Sequence, residues 1–402
     1  MVSHSSTLFT PGFLFASGGN FLLFLGFYML MPVLPLYLID AFNASGGTIG
    51  VVLALYTLAA LAVRPFSGFV LDKFDRKPVY ILSFAAFVLL FLGYTIAASL
   101  VMFALLRVLH GMAFGVVTTA NNTIIIDIMP ASRRGEGLGY FGVASSLAMA
   151  LGPMLGLMLH SAYASWQVVI LTAFGCGVTG LLLAVQIKTP TTIKRATEPL
   201  SLDRFFLTKG LRAGCCLMLL GMPYGMLTSY MTLYAQELHV TGNLGLFFSF
   251  MAAGLVLSRT YAGTLVDRGK VTAVILWGTL LTFLAFLVFA SLGILAGKVV
   301  QGWVEILFYS SAFLLGMGYG TLFPAYNSLF VDLAPHNRRA TASSTYLTTW
   351  DMGIGLGLVL GGRVGQECGF FVAFFMGGAM VLTSLILFAW MAAPHFNRNR
   401  LR

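Results

Sequence analysis

Gly111 to Gly135 reads GMAFGVVTTANNTIIIDIMPASRRG, and Gly316 to Ala340 reads GMGYGTLFPAYNSLFVDLAPHNRRA. Aligned at a constant offset of 205, the two stretches share Gly-Met-x-aromatic-Gly, an Ala, the pair Asn122 and Asn327, and an ending. That ending is Asp-x-x-Pro-x-x-Arg-Arg, from Asp127 to Arg134 and again from Asp332 to Arg339. Two apolar segments that finish alike half a chain apart describe a chain built twice. A second pair agrees: Arg64-x-x-x-Gly68-x-x-x-Asp72 returns as Arg259-x-x-x-Gly263-x-x-x-Asp267, here at an offset of 195. Residues four apart share one helix face, so each triad presents Arg, Gly and Asp in a single row. Parallel repeats of this length in an apolar chain are a signature of membrane transporters.

Composition sets the solvent. Of the 402 residues 58% are apolar and 9% charged, too little polar surface to cover a protein of this size in water. The 45 glycines suit close helix packing in a bilayer. Apolar runs of about 20 residues cross the hydrocarbon, and they place spans 1 to 6 near 13–39, 46–70, 78–98, 101–127, 138–160 and 166–187. A polar linker follows at 188–212 with six basic residues, then spans 7 to 12 near 213–235, 244–266, 272–296, 303–330, 341–362 and 370–393. The resulting domains are an N-terminal six-helix bundle over 1–187 and a C-terminal one over 213–402. The expected fold is all-α, twelve transmembrane helices in two pseudo-symmetric bundles.

The net charge of +10 raises the question of nucleic acid, and position answers it. Lys298 and Arg363 fall on one side of the spans, Arg64, Arg107 and Arg259 inside them, and the other 18 of 23 basic residues on the opposite side. This positive-inside asymmetry accounts for the excess, puts both termini in the cytoplasm and leaves no role for nucleic acid. The N-terminus MVSHSSTLFTPGF lacks the basic region of a cleavable signal. Cys176, Cys215, Cys216 and Cys368 have no ligand spacing and read as packing residues, so neither metal nor cofactor is expected. No Walker motif and no Ser/His/Asp set in a polar region supports an enzyme.

At Gly68 to Lys77 the chain reads GFVLDKFDRK. This resembles the loop signature of the major facilitator superfamily, Gly-x-Leu-Ala-Asp-Arg-x-Gly-Arg-Lys. Gly68, Asp72, Arg76 and Lys77 match directly, Lys73 matches in charge, and Asp75 departs from the usual Gly. Pro32-Val-Leu-Pro35-Leu-Tyr37 also looks like that family. Arg107-Val-Leu-His110-Gly111 is similar to the Arg-x-x-Gln-Gly of proton-coupled members, with His110 in place of Gln. Gly139 with Gly152-Pro153-Met-Leu-Gly156 is similar to the exporter signature of span 5, although Ala148 and Leu157 replace two of its glycines. The resemblance implies the major facilitator fold, a bacterial inner-membrane location, and a monomer in the lipid bilayer. It further implies alternating access to a central cavity, with a lean towards proton-coupled efflux. By the same resemblance Asp72 sits against the start of span 11 and Arg76 pairs with Asp127. As a partly exposed pair, that would be worth ~0.2–1 kcal/mol. Gly68, Lys77, Asp267 and Asp332 complete the expected cytoplasmic gate.

An ionised group at mid-bilayer costs ~2.5–3.5 kcal/mol on insertion scales and so needs a reason. Asp351, about eleven residues into span 11, admits two readings: a packing residue bonded to Thr or Tyr, or a carboxylate that takes up and releases protons. Arg107 either locks span 4 to span 1 or meets an anion. His110 and Glu305 are further proton candidates, Glu305 also fitting a residue that simply faces water. Asn20, Phe24, Tyr28, Asn121, Asn122, Tyr224, Tyr230, Tyr309 and Tyr319 are the expected cavity residues, as a set fitting an amphiphilic organic solute. Arg107 with Asp351 would suit a zwitterion. Met222-Pro223-Tyr224-Gly225 predicts a break in span 7. A channel would not require paired halves with matched gates, whereas uptake or facilitation of a sugar or small metabolite without proton antiport remains open as the alternative.

Overall fold

The computed structural model describes residues 7–31, 33–44, 46–189, 205–242 and 245–401; most of the linker and Pro32 lie outside them. Every regular element among the described residues is helical. The main helices are α1 (Pro11–Leu30), α2 (Val33–Phe42), α3 (Gly46–Lys73), α4 (Arg76–Thr95), α5 (Leu100–Ile128), α6 (Arg134–Tyr163) and α7 (Trp166–Val185). After the linker come α8 (Leu211–Glu237), α9 (Gly245–Asp267), α10 (Val271–Leu295), α11 (Gln301–Leu333), α12 (Arg339–Cys368), α13 (Phe370–Leu387) and α14 (Ala393–Asn399). Their starts follow local chemistry. Thr10 accepts from the Phe13 amide at 3.2 Å ahead of Pro11, and Ser99 accepts from Met102 at 3.2 Å.

Three spans differ from the sequence expectation. Span 1 is two helices, α1 ending at Leu30 and α2 starting at Val33. Span 12 continues past residue 393 through a π-helical turn, Phe388–Ala392, into α14. Span 7 is not broken: α8 continues through Pro223, which removes a single backbone donor. Among the described residues, eleven helical segments are long and apolar enough to cross a membrane. The remaining span is α12, 30 residues long but rich in hydroxyls, with Thr341, Ser343, Ser344 and Thr345 all buried.

The chain divides into two compact units. The first holds Met1–Ser132, Ala144–Phe206 and His336–Ser344; the second holds Arg133–Val143, Leu207–Pro335 and Thr345–Arg402. Each therefore includes the opening turns of a helix whose remainder belongs elsewhere: α12 in the first unit, α6 in the second.

Inside the units the repeat is visible at atomic contacts. A β-carbon on Gly115 would stand 2.8 Å from the Ala60 carbonyl oxygen, and one on Gly320 2.7 Å from that of Leu255. Ala60 and Leu255 are 195 apart, Gly115 and Gly320 205 apart. Both offsets thus meet in one packing geometry, α3 on α5 and α9 on α11. Only glycine permits that approach. Aromatic rings fill the rest, with Phe84, Phe87, Phe91 and Phe103 fully buried in the first unit and Phe247, Phe286 and Phe289 in the second. Outward-facing Leu82, Val101, Trp277 and Trp390 are 71–85% exposed, a surface that lipid rather than water solvates.

Candidate functional site

In the first unit the last turn of α3 carries Asp72, which points at the opening turn of α12. Its carboxylate accepts from the amides of Ala340 (3.1 Å) and Thr341 (2.9 Å) and from the Thr341 hydroxyl (2.7 Å). The first amides of a helix have no partner within it, and the helix dipole favours an anion there. Gly68, one turn earlier, makes room: a β-carbon would stand 2.7 Å from the Ser344 β-carbon and 3.1 Å from the Thr341 α-carbon.

Arg76, the first residue of α4, binds this carboxylate to a second one. Its Nη2 donates to Asp72 at 3.0 Å, its Nη1 to Asp127 at the end of α5, and its Nε to the Leu71 carbonyl at 3.1 Å. Arg339 also donates to Asp127, at 3.2 Å. The Arg76 and Arg339 side chains are each 7% exposed and that of Asp127 13%. The network is therefore far less exposed than the sequence suggested. Removal of one partner from so buried a pair costs ~3–5 kcal/mol, well above the surface-pair value. Lys77 lies next on α4, half-buried.

The second unit repeats the arrangement. Asp267 at the end of α9 accepts from the amides of Gly135 (2.5 Å) and Glu136 (2.8 Å) where α6 begins. These amides lie 205 before Ala340 and Thr341, as Asp267 lies 195 after Asp72. Arg134 stands 4.0 Å from Asp332, the counterpart of Arg339 on Asp127. What is missing is Arg76: the corresponding position is Val271.

Deeper in the first unit, Tyr80, Asn121 and Asn20 join in a hydrogen-bonded chain. Tyr80 donates to Asn121 (3.1 Å), Asn121 to Asn20 (2.8 Å), and Asn20 to Ser145 (2.8 Å). Two expected cavity residues thus satisfy each other. Phe24 stacks on Tyr28, and both are half-buried; Asn122 is buried. Arg107 and His110 are brought together, with two residues that the sequence reading did not select. The guanidinium lies 4.2 Å above the Tyr56 ring, and the Tyr94 hydroxyl is 2.7 Å from His110 Nδ1.

In the second unit Tyr224 packs against Tyr319, Phe323 and Trp350 with ring centroids 4.9, 6.2 and 5.0 Å apart. Asp351 follows Trp350 and is half-buried. Tyr319 donates to the Leu220 carbonyl and Tyr230 to that of Leu358. Glu305 accepts from the Thr241 amide and hydroxyl, both at 3.1 Å, so it ties down a loop end; Tyr309, one turn on, packs on Phe250 and Phe308. Tyr56, Tyr80 and Tyr94 escaped the sequence reading because nothing local marks them; their partners lie 41 residues away for Tyr80 and 16 for Tyr94.

A helical chain built twice, with an acid at the end of one helix seated on the amides of another in each repeat, is a two-repeat membrane transporter. The family model described as Major Facilitator Superfamily matches residues 16–308 and 213–401. The chain belongs to that superfamily and is a multi-pass integral membrane protein. It is similar to the staphylopine export protein of Staphylococcus aureus, 25% identical over 86% of this chain and 87% of the relative. It is also similar to the quinolone resistance protein NorA of the same species, 29% identical over 34% of this chain and 35% of NorA. The crystal structure of the human organic anion transporter MFSD10 (TETRAN) has the same fold, with TM-score 0.80 at 17% identity, covering 94% of this chain and 98% of that one.

Proposed function

We propose that the protein is a secondary transporter that exports a small organic solute by alternating access, driven by protons. The observation that carries this reading is the pair of repeat-related carboxylates, Asp72 and Asp267, each held by two backbone amides. A seat of this kind stabilises a helix start while occupied and releases it when the acid withdraws, which is what a two-state carrier needs at its gate. Outward transport is supported by similarity to a staphylopine exporter over most of both chains. On this reading Gly68, Asp72, Arg76, Lys77, Asp127, Asp267 and Asp332 form the cytoplasmic gate. The protein works as a monomer in a bacterial plasma membrane, with both termini in the cytoplasm.

Asp351 is the proposed proton carrier, with His110 and Glu305 as lesser candidates. A protonated Asp351 lets the carrier change state without dragging a charge through hydrocarbon; deprotonation resets it. The test uses purified protein in lipid vesicles, with an imposed pH gradient run against a panel of organic solutes. Asp351→Asn imitates the protonated acid, so exchange of solute should persist while gradient-driven accumulation is lost. A mutant that accumulates solute as wild type does would make Asp351 a packing residue.

A further inference from the structure

The first unit buries an arginine that no acid among the described residues neutralises. Arg107 is 2% exposed, two turns into α5. Among the described residues no carboxylate lies within ion-pair reach of it; the ion pairs gather at helix ends and loops. Its contacts are the Tyr56 ring and one long hydrogen bond, Nη1 to the Tyr94 hydroxyl at 3.5 Å. Its Nε is buried and has no acceptor. An ionised side chain removed from water and left unpaired is among the least favourable arrangements a protein can hold.

The groups around it are unpaired in the same sense. Tyr94 receives the Arg107 hydrogen on its oxygen, and among the described residues its own hydrogen reaches one acceptor, His110 Nδ1, at 2.7 Å. With Nδ1 accepting, the imidazole proton sits on Nε2. His110 Nε2 is buried without a partner, and so is the Tyr56 hydroxyl. His110 is 1% and Tyr56 3% exposed. Phe87 and Phe91 flank the imidazole at 4.4 and 4.8 Å, and neither has a lone pair to offer. Among the described residues, one full positive charge and two further donors thus share an aromatic enclosure in which the Tyr94 oxygen, 3.5 Å from Arg107 Nη1, is the one acceptor they reach. The nearby Asn20, Asn121 and Tyr80 chain makes the contrast: there every donor has its acceptor.

We propose that Arg107, with His110 and Tyr56, binds the carboxylate of the transported solute, so that the substrates are organic monoanions or zwitterions carrying one such group. The inference rests on the transport reading given above. Charge counting selects the class. A carboxylate brings one negative charge and about four lone pairs, enough for three donors. A doubly charged phosphate would leave a net negative charge inside the span. Tyr94 acts as a positioning residue, fixing the imidazole so that its second nitrogen donates.

The experiment is binding without any gradient. Full-length protein in detergent is titrated with benzoate, with benzamide as its neutral isostere, and with chloride at matched ionic strength, following the thermal unfolding midpoint. Benzoate should raise the midpoint in a concentration-dependent way, with an apparent affinity at least about tenfold above that of benzamide. Arg107→Met should abolish the benzoate-specific shift while the unliganded midpoint stays at or above wild type, because an uncompensated charge has been removed. Arg107→Lys should retain part of the shift. The proposal is overturned if wild type shows no preference for benzoate over benzamide, or if chloride alone reproduces the shift. It is equally overturned if Arg107→Met keeps the preference, or if it lowers the midpoint and Arg107→Lys behaves the same way. Benzoate binding as expected in a protein that moves no solute along any gradient would sink the transport reading and leave this site standing.

Discussion

Asp72 and Asp267 hold equivalent places in the two repeats, and each accepts two amide hydrogens at a helix start. Around Asp72, however, Arg76 ties the acid to Asp127, and Arg339 adds a second bond to the same partner. Around Asp267 the position matching Arg76 is Val271, and Arg134 stands 4.0 Å from Asp332. The amide seat is thus the part both repeats keep, whereas the arginine bridge belongs to one. Two acids with the same backbone partners are held to different degrees, and the first repeat carries the stronger hold.

The largest effect should come from removing the bridge. Arg76→Ala leaves two buried carboxylates short of a cation and should destabilise the protein by about 3–5 kcal/mol, read as a lower unfolding midpoint in detergent. Arg134→Ala should fall well below it. Equal losses would erase the distinction between the repeats. Next come the seats themselves. Asp72→Asn and Asp267→Asn each exchange charge-assisted bonds for neutral ones, at about 1–3 kcal/mol. Asp72→Asn should be the more severe, and solute exchange should speed up as the gate loosens. A mutant pair with unchanged exchange rates would separate these acids from gating. The smallest effect belongs to Arg133→Gln. It removes the pair with Glu136 at 2.7 Å, in which the arginine side chain is 34% exposed, and its melting curve should lie close to that of wild type.

Much of this was legible in the sequence, for a physical reason. The repeat, the twelve spans and the Asp72 and Asp267 rows rest on local periodicity and on residue types that hydrocarbon penalises. A lone acid or arginine in an apolar run announces itself. The Arg76 to Asp127 contact was reachable only through the family resemblance, since 51 residues separate the pair. The surroundings of Arg107 were not legible at all. Tyr56 and Tyr94 are two tyrosines among 15, and only packing decides which of them meet the guanidinium. Pro223 misled because a proline's lost hydrogen bond is visible in sequence, whereas the helix's ability to run on past it is not.

The order of synthesis gives the arginine bridge one more meaning. Asp267 leaves the ribosome when its amide partners, 132 and 131 residues upstream, already exist. Asp72 has the opposite schedule: Ala340 and Thr341 come 268 and 269 residues later. At ordinary elongation rates that is a wait on the order of tens of seconds, spent at the edge of a membrane. Arg76 follows Asp72 by four residues and is present from the outset, so the acid that must wait is the one born with its own counter-ion.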